Sequence, residues 1–275
     1  MDVDVFQNVD RFVWSADFIA RHSSNREDIR EVALQGLDLR SCSEILDIAC
    51  AFGFCVPCLK DKVRAEARIT GIELCSDYKQ LFLKAADRAG LHGEFLAADV
   101  SALDRLPPGT FDLVLCSFAL YFFPKVIPAI ARVLKPDGFF IALAHAEGHL
   151  DEITRQVKEY LNSRSVLCGG GNQPCLEQMI QSFSDTNGHS LLSPWFKKVN
   201  MTLFKNSLLI RAEDFVELKK YIRFKHSFFV PKTTVPWEEV IEQVEKLLWK
   251  RIQVETELQI SKDDAIFVCT APNPA

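Results

Sequence analysis

Five short apolar runs, separated by helix-like segments, fill positions 41–149. The runs do not alternate strictly between apolar and polar residues, which is typical of strands buried on both faces. The predicted strands are Ile45–Ala49, Arg68–Glu73, Glu94–Ala98, Phe111–Phe118 and Phe139–His145, and the predicted helices are Pro57–Ala67, Asp77–Ala89 and Lys125–Leu134. This alternation predicts an α/β fold in which helices cover both faces of a mostly parallel sheet.

The flanking regions are predicted to be mainly helical. Residues 1–40 carry an apolar face that includes Phe12 and Ile19, and Ser24 or Asn25 is placed to cap a second helix at 26–37. The elements predicted after His149 are helices at Leu150–Leu161, Cys175–Phe183, Ala212–Arg223 and Trp237–Gln253, a glycine-rich loop at 169–172, and strands at Lys198–Ile210 and Ala265–Thr270. We expect a single domain over 1–275, with a helical lid (1–40), a cofactor-binding core (41–149), a cap that recognises the substrate (150–235), and a closing helix with an edge strand (236–275).

The composition argues against several classes of partner. The 275 residues carry a net charge of −5 and show no basic run, which disfavours nucleic acid and anionic membranes as partners. We find no apolar stretch of membrane-spanning length and no signal-peptide pattern, so we expect no membrane partner. The nine cysteines lie mostly in predicted core elements and are expected to be reduced. These features predict a cytoplasmic protein, and we expect a monomer or a homodimer.

Acidic residues close three successive predicted strands. Asp47 lies near the end of the first strand, Glu73 ends the second, and Asp99 follows the third. The carboxyl ends of parallel strands meet at one edge of the sheet, where open α/β folds bind their ligands. The small-residue turn at 49–53 lies at the same edge and lets backbone amides approach a ligand. This layout predicts a nucleotide-type cofactor.

Five sequence elements stand in a recognisable order and spacing. They are LDIACAFG (46–53), GIEL (71–74), AADV (97–100), FDLVLCSFALYFF (111–123) and LKPDGFF (134–140). With them, the chain resembles the class I S-adenosylmethionine-dependent methyltransferases, of the type that act on small molecules. The resemblance implies a doubly wound, Rossmann-like α/β fold with a mostly parallel seven-stranded sheet. It also implies S-adenosylmethionine as the cofactor.

The resemblance assigns a role to each matching position. The implied cofactor-binding residues are Asp47, Ala49, Cys50, Ala51 and Gly53 for the methionine part, Glu73 for the ribose, Leu74, Asp99 and Val100 for the adenine, and Cys116, Ser117 and Phe118 for the amino group and the reacting methyl. One departure concerns Ala49 and Ala51, which stand where the family usually has glycines. A methyl group at a left-handed backbone position costs about 1–2 kcal/mol, so this departure bears directly on cofactor affinity.

Methyl transfer is an in-line displacement that depends mainly on alignment of the acceptor with the methyl group. His145 ends the predicted fifth strand and is the candidate general base, and its alternative role is that of a structural histidine. Tyr121 is the second candidate catalytic residue. The candidate acceptor-binding residues are Trp14, Phe18, Tyr121, His145 and His149. The 21 phenylalanines and four tryptophans favour a small, aromatic or otherwise apolar methyl acceptor.

Three alternatives stay open at this point. A non-catalytic binding module would keep the fold without turnover. An NAD(P)-dependent oxidoreductase would need G-x-G-x-x-G, where this chain has A-x-A-x-G. Cys50, Cys55 and Cys58 have the spacing of a ferredoxin-type cluster loop, with candidate fourth ligands at Cys42, Cys75, Cys168 or Cys175. Because Cys50 falls inside the predicted cofactor turn, we expect no metal site.

Overall fold

A computed structural model describes residues 4–166 and 176–273 of the chain. The predicted glycine-rich loop at 169–172, Cys168 and Cys175 lie outside the described residues. The chain divides into two compact units. The sheet unit comprises Glu27–Glu147, Ser182–Phe204 and Asp264–Ala275, and the helical unit comprises Met1–Arg26, Gly148–Gln181 and Lys205–Asp263.

The strands of the described residues form two sheets. In chain order they are β1 (Glu44–Ile48), β2 (Arg68–Glu73), β3 (His92–Ala97), β4 (Phe111–Ser117), β5 (Leu134–His145), β6 (Phe196–Phe204), β7 (Ser207–Arg211), β8 (Glu257–Ser261) and β9 (Asp264–Pro272). The sheet unit contains seven of them in the order β3-β2-β1-β4-β5-β9-β6, parallel from β3 to β5 and antiparallel on both sides of β9. The predicted doubly wound, mostly parallel seven-stranded sheet is confirmed. The chain reverses its direction of progress between β1 and β4, which is where such sheets open a ligand crevice.

The helices divide between the two units. In chain order they are α1 (Asp4–Gln7), α2 (Val9–His22), α3 (Ile29–Leu34), α4 (Lys79–Arg88), α5 (Ile127–Val133), α6 (Asp151–Ser163), α7 (Leu176–Ser182), α8 (Gly188–Leu192), α9 (Phe215–Phe224), α10 (His226–Phe229) and α11 (Trp237–Glu255). Helices α3, α4, α5 and α8 belong to the sheet unit. The helical unit gathers the other helices, together with the antiparallel two-stranded sheet of β7 and β8.

The predicted helix Pro57–Ala67 is wrong. The structure has only a 3₁₀ turn at Val56–Leu59. Beyond Leu59 the sequence KDKVRAE offers only Val63 and Ala65 as apolar side chains, too few to give a longer helix an apolar face to bury. Asp61 and Glu66 adopt left-handed φ values of 62° and 58°, which end helical propagation.

The predicted strand Lys198–Ile210 is also wrong, because it is two strands in different sheets. Asn206 lies between β6 and β7, and its side-chain amide forms several hydrogen bonds within the helical unit. Its Oδ1 accepts hydrogen bonds from Ser24 Oγ at 3.3 Å and from the Asn25 amide at 3.1 Å. The sequence analysis expected Ser24 or Asn25 to cap the next helix, and this prediction is wrong. Asp28 caps α3 instead, accepting from the Arg30 amide at 2.9 Å.

The core of the sheet unit fixes the edge of the sheet that carries the three acids. Ile45, Leu46 and Ile48 of β1 have no exposed surface. At the opposite end of these strands, the Asp112 carboxylate accepts hydrogen bonds from the Glu44 amide at 2.9 Å and from Lys135 Nζ at 2.7 Å. This contact fixes the start of β1 against β4 and β5. No helix in the described residues has the length and apolar character needed to cross a membrane.

Candidate cofactor and catalytic site

The turn after β1 adopts left-handed backbone conformations at alternate residues. The φ values are 54° at Ala49, 42° at Ala51 and 78° at Gly53. The alanines that replace the expected glycines are therefore strained rather than ordinary in conformation. At Gly53 a Cβ atom would lie 3.0 Å from Val56 Cγ2, so packing also requires glycine there. The strained residues Ala49 and Ala51 therefore lie in the turn where a ligand would contact the backbone.

Glu73, at the end of β2, holds this turn in place. Its Oε2 accepts a hydrogen bond from the Ala51 amide at 3.1 Å, and its Oε1 accepts one from the Cys75 amide at 3.0 Å. Each carboxylate oxygen has two lone pairs, so both can accept a further hydrogen bond. The carboxylate is thus oriented by the backbone and keeps acceptor capacity for a pair of hydroxyl groups.

Asp47 is the buried acid of the site. Its side chain is 2% exposed, and burial together with the charge of Glu73 raises its pKa from 3.8 to about 8. Burial is the larger of these two causes. Burying a negative charge beside a second carboxylate is costly. The site therefore favours a ligand that brings donors or positive charge to Asp47.

The residues predicted to hold an adenine are accessible at the neighbouring strand ends. Leu74 follows β2 and is 64% exposed, which is unusual for a leucine and offers a flat apolar contact. Asp99 follows β3, is exposed, and accepts a hydrogen bond from the Ser101 amide at 2.7 Å. Hydrogen bonds from the Ser101 hydroxyl and then from its amide lower the pKa of Asp99. Val100 begins the 3₁₀ turn that Asp99 caps.

The end of β4 lies beside the same edge of the sheet. Cys116 is fully buried, and Ser117 Oγ lies 3.1 Å from Cys55 Sγ. Phe118 adopts a left-handed φ of 54°, uncommon for a bulky residue. Its amide donates to the Leu143 carbonyl at 2.7 Å, which ties the strand end to β5. The strained backbone directs the Phe118 ring onto His145, with ring centres 5.1 Å apart.

His145 stands in a three-residue hydrogen-bonded relay. Its Nδ1 lies 2.9 Å from Asp264 Oδ1, and its Nε2 lies 3.3 Å from the Tyr121 hydroxyl. Asp264 begins β9, pairs directly with His145 in the antiparallel ladder, and is 2% exposed. A carboxylate accepts, so Nδ1 carries the ring proton and Nε2 is left as the basic nitrogen. Sequence reasoning missed Asp264, which lies 119 residues from its partner.

Comparison with known proteins finds a family match over part of the chain. Residues 46–142 match the sequence model of a methyltransferase domain. The match covers about a third of the chain, and within it this chain is similar to methyltransferase domains. The methyltransferase domain includes β1 to β4 and most of β5, so the family match and the acidic strand ends coincide. The match supports S-adenosylmethionine as the cofactor and favours it over the nicotinamide cofactor of the oxidoreductase alternative.

Relatives of known name agree with this assignment. An uncharacterized methyltransferase of Schizosaccharomyces pombe is 27% identical over 54% of this chain and 57% of its own length. The aklanonic acid methyltransferase DauC of a Streptomyces species is 30% identical over 32% of this chain and 40% of its own length. The chain thus spans about half the length of the curated relatives it matches. The solved YcgJ protein of Bacillus subtilis shares the fold, with a TM-score of 0.54, 15% identity, and coverage of 89% of this chain and 98% of that protein.

The residues of the methyltransferase domain fit S-adenosylmethionine. The buried Asp47 carboxylate has acceptor capacity for a cationic, donor-rich group, and the oriented Glu73 carboxylate has it for a diol. The exposed Leu74 offers an apolar contact for a flat ring. These features come from two neighbouring strand ends, those of β1 and β2, as the sequence resemblance implied.

The remaining predicted residues belong to the helical unit. Phe18 has no exposed surface and stacks on Tyr221 with ring centres 4.9 Å apart, so it is a core residue of that unit. Trp14 is partly exposed and carries Lys220 Nζ 4.0 Å above its ring. His149 is 3% exposed, and its Nδ1 lies 3.1 Å from the Asp263 carbonyl.

The cysteines with ferredoxin-like spacing are buried thiols. Burial raises the pKa of Cys55 to about 12 and that of Cys58 to about 11, and it raises the pKa of Cys50 as well. Metal ligation needs thiolates. Across the described ranges, no three cysteine sulfurs gather closely enough to hold a metal ion. Cys50 instead contributes its amide to the turn, donating to the Ile72 carbonyl at 3.1 Å.

The strained turn predicts an unusual response to glycine. Ala51→Gly removes the Cβ penalty at φ 42°, which outweighs the added flexibility of the unfolded chain, so the unfolding free energy should rise by about 0.5 kcal/mol or more. The matched control Ala97→Gly, at an ordinary position of β3, should lose about 0.5–1 kcal/mol. Urea unfolding of both variants measures the difference. A loss of stability in Ala51→Gly as large as in the control would show that the turn is not strained.

The raised pKa of Asp47 predicts a pH-dependent cost to stability in the ligand-free protein. Between pH 4 and 8 the unfolded chain has released this proton while the folded chain retains it, so stability falls as pH rises through that range. Asp47→Asn should remove this decline and be more stable by at least about 1 kcal/mol at pH 8. Glu94→Gln, an exposed acid of β3, is the control. Parallel pH profiles for the wild type and Asp47→Asn in chemical unfolding would contradict the prediction.

Proposed function

We propose that this protein transfers a methyl group from S-adenosylmethionine to a small, aromatic or otherwise apolar molecule, at N, O, S or C. The observation that carries the proposal is a continuous series of rings in the sheet unit, running from the cofactor turn to His145. Phe52 and Phe54 are 6.3 Å apart, Phe54 and Phe118 are 5.9 Å apart, and Phe118 and Tyr121 lie 5.1 and 5.3 Å from the His145 ring. A wall of this kind binds flat apolar molecules by stacking.

The proposed cofactor contacts follow the strand ends. Asp47 and the backbone at 49–53 hold the methionine part, Glu73 holds the ribose, and Leu74, Asp99 and Val100 hold the adenine. Cys116, Ser117 and Phe118 face the amino group and the methyl. These roles are supported by the buried acceptor of Asp47 and the oriented carboxylate of Glu73.

The proposed chemistry at the acceptor is proton removal by His145. The sulfonium of the bound cofactor supplies an activated methyl group. Aromatic walls align the acceptor and exclude water, which accounts for most of the rate in a displacement of this type. His145 Nε2 takes the proton that the acceptor loses, through the Tyr121 hydroxyl. Asp264 is a positioning residue, because its contact to Nδ1 fixes the tautomer and stabilises the imidazolium that forms.

A small acceptor is also supported by one relative. The Streptomyces methyltransferase is named for aklanonic acid, a small molecule, and its similarity covers 32% of this chain. The lid and cap roles proposed for 1–40 and 150–235 stay predictions, as do the acceptor contacts of Trp14 and His149. The cytoplasmic location and the monomeric or homodimeric state also stay predictions.

A second candidate function is a non-catalytic module that binds the cofactor. The observation that favours it is the strain at Ala49 and Ala51, where a methyl group stands at a left-handed position facing the cofactor turn. An intact Tyr121–His145–Asp264 relay favours catalysis instead, because a binding module has no use for an oriented base. Turnover separates the two.

The relay predicts graded losses of turnover. With labelled S-adenosylmethionine and a panel of small phenols, aromatic amines and aromatic acids, the wild type should methylate at least one acceptor. His145→Ala should lower kcat by about 10²–10⁴ and remove the acid limb of the pH–rate profile. Asp264→Asn should lower kcat less and shift that limb, since it perturbs the orientation of the base. The control His189→Ala, at an exposed histidine of α8, should match the wild type.

Cofactor affinity distinguishes a catalytic loss from a folding defect. Binding of S-adenosylhomocysteine should stay within about threefold of the wild type in each variant, because the relay lies outside the proposed cofactor contacts. Unchanged kcat in His145→Ala would remove this residue from the mechanism. Methylation of protein or RNA alone, with no small acceptor, would overturn the proposed substrate class.

A further inference from the structure

Arg30, in the first turn of α3, contacts the residue at which the turn after β1 ends. Its Nη1 donates a hydrogen bond to the Phe54 carbonyl at 3.0 Å, and its guanidinium carbon lies 4.9 Å from the centre of the Phe54 ring. Phe54 directly follows Gly53, the last residue of this turn with a left-handed φ. One side chain therefore holds both the backbone and the ring at the end of the turn.

Asp28 holds the guanidinium group of Arg30 in this position. Its carboxylate accepts hydrogen bonds from Arg30 Nε at 2.9 Å and from Arg30 Nη2 at 2.6 Å, so the two side chains form a bidentate pair. Burial disfavours the charge of Asp28, but hydrogen bonds from Arg30 outweigh this effect and lower its pKa, so the pair is ionised at neutral pH. The planar arginine fork is thus oriented before any ligand binds.

The helix that carries Arg30 is packed into the same core as the segment after the turn. Ala33 and Leu34 of α3 belong to the apolar cluster of the sheet unit that also contains Cys55 and Val56. The support for the guanidinium group is therefore fixed on both sides, by the ion pair and by the packing of its helix. Its hydrogen bond restrains the end of the turn relative to α3.

Hydrogen bonds restrain the turn at its start, its middle and its end. The Cys50 amide donates to the Ile72 carbonyl at 3.1 Å, and the Ala51 amide donates to the Glu73 carboxylate at 3.1 Å. The contact from Arg30 adds the restraint at the end. Strained backbone persists only where its surroundings hold it, so the loss of one restraint lets the turn relax. A relaxed turn must be ordered again when a ligand binds, which lowers the affinity.

We propose that Arg30 is a positioning residue for S-adenosylmethionine. Held by Asp28, it fixes Phe54 and thereby pre-orders the turn whose backbone contacts the methionine part of the cofactor. This inference rests on the proposed function, because it takes the turn at 49–53 as the cofactor site. It adds a residue that precedes β1 and lies outside the match to the methyltransferase model, which begins at residue 46.

Arg40 provides a matched comparison within the sheet unit. Asp38 and Arg40 repeat the aspartate–x–arginine spacing of Asp28 and Arg30, and Arg40 Nε and Nη2 donate to the Asp38 carboxylate at 2.8 and 2.9 Å. The Arg40 side chain is 83% exposed, whereas that of Arg30 is 28% exposed and lies against the Phe54 ring. If both pairs served only the local surface, replacing either arginine would have the same small effect.

Calorimetric titration with S-adenosylhomocysteine tests this role. Arg30→Met keeps an apolar stem but removes the hydrogen bond to Phe54, so it should weaken binding by about fivefold or more. Arg30→Lys keeps a cation near the ring and should recover part of the loss. Asp28→Asn keeps a residue that caps helices but removes the charged support, so it should also weaken binding. The controls Arg40→Met and Asp38→Asn should stay within about twofold of the wild type.

Hydrogen exchange in the ligand-free protein gives a second readout that does not depend on the cofactor. Arg30→Met should speed exchange of the amides at 49–56 by about fivefold or more while those of β4 exchange as in the wild type, because the restraint is local. Arg40→Met should change neither segment. A general loss of stability would instead speed exchange in both segments alike.

The outcomes separate this inference from the proposed function. Absence of S-adenosylhomocysteine binding to the wild type would overturn both together. Binding to the wild type with equal affinities in Arg30→Met and Arg40→Met, or with unchanged exchange at 49–56 in Arg30→Met, would overturn the inference alone. If Arg30→Met does not fold, Asp28→Asn compared with Asp38→Asn decides the outcome by the same two measurements.

Discussion

The hydrogen bond from the Ala51 amide to the Glu73 carboxylate connects the turn after β1 to the end of β2. It is 3.1 Å long, and it holds in place a turn whose alanines lie at unfavourable backbone conformations. Because Glu73 also accepts from the Cys75 amide at 3.0 Å, a single carboxylate orders both strand ends. The proposed binding of the methionine part, the ribose and the adenine all depends on this arrangement.

The same arrangement explains the protonation of Asp47. Two carboxylates stand at the ends of adjacent parallel strands, one buried and one anchored by amides, so the buried one retains its proton near neutral pH. The ligand-free site therefore carries both backbone strain and the cost of a buried acid. A ligand with a cationic, donor-rich group relieves the second of these costs, which gives the site its chemical preference.

Much of the sheet unit could be predicted from sequence, because its information is local. Strands buried on both faces read as apolar runs, and Asp47, Glu73 and Asp99 mark their ends. The short 3₁₀ turn at Val56–Leu59 was missed because charged helix-forming residues follow Leu59, and only the left-handed φ values of Asp61 and Glu66 show that the helix stops. Asp264 was missed for another reason. Its role comes from antiparallel pairing with His145, which no local pattern in the last strand reveals.

The helical unit was predicted least well. Its helices were recognised by their apolar spacing, but their association was not. The unit is assembled from three segments that lie far apart along the chain, which are Met1–Arg26, Gly148–Gln181 and Lys205–Asp263. Phe18 illustrates the consequence. A stripe that suggested an acceptor lid is partly the core of this unit, because Tyr221, about two hundred residues later in the sequence, covers that ring.

The central claim is that the strand ends carrying Asp47 and Glu73 hold S-adenosylmethionine. Calorimetric titration of the wild type and Glu73→Ala with S-adenosylhomocysteine, and of the wild type with NAD, tests it most directly. The account predicts one molecule of S-adenosylhomocysteine per chain, at least tenfold weaker affinity in Glu73→Ala, and no binding of NAD. Absence of S-adenosylhomocysteine binding, or equal affinity in Glu73→Ala, would contradict it.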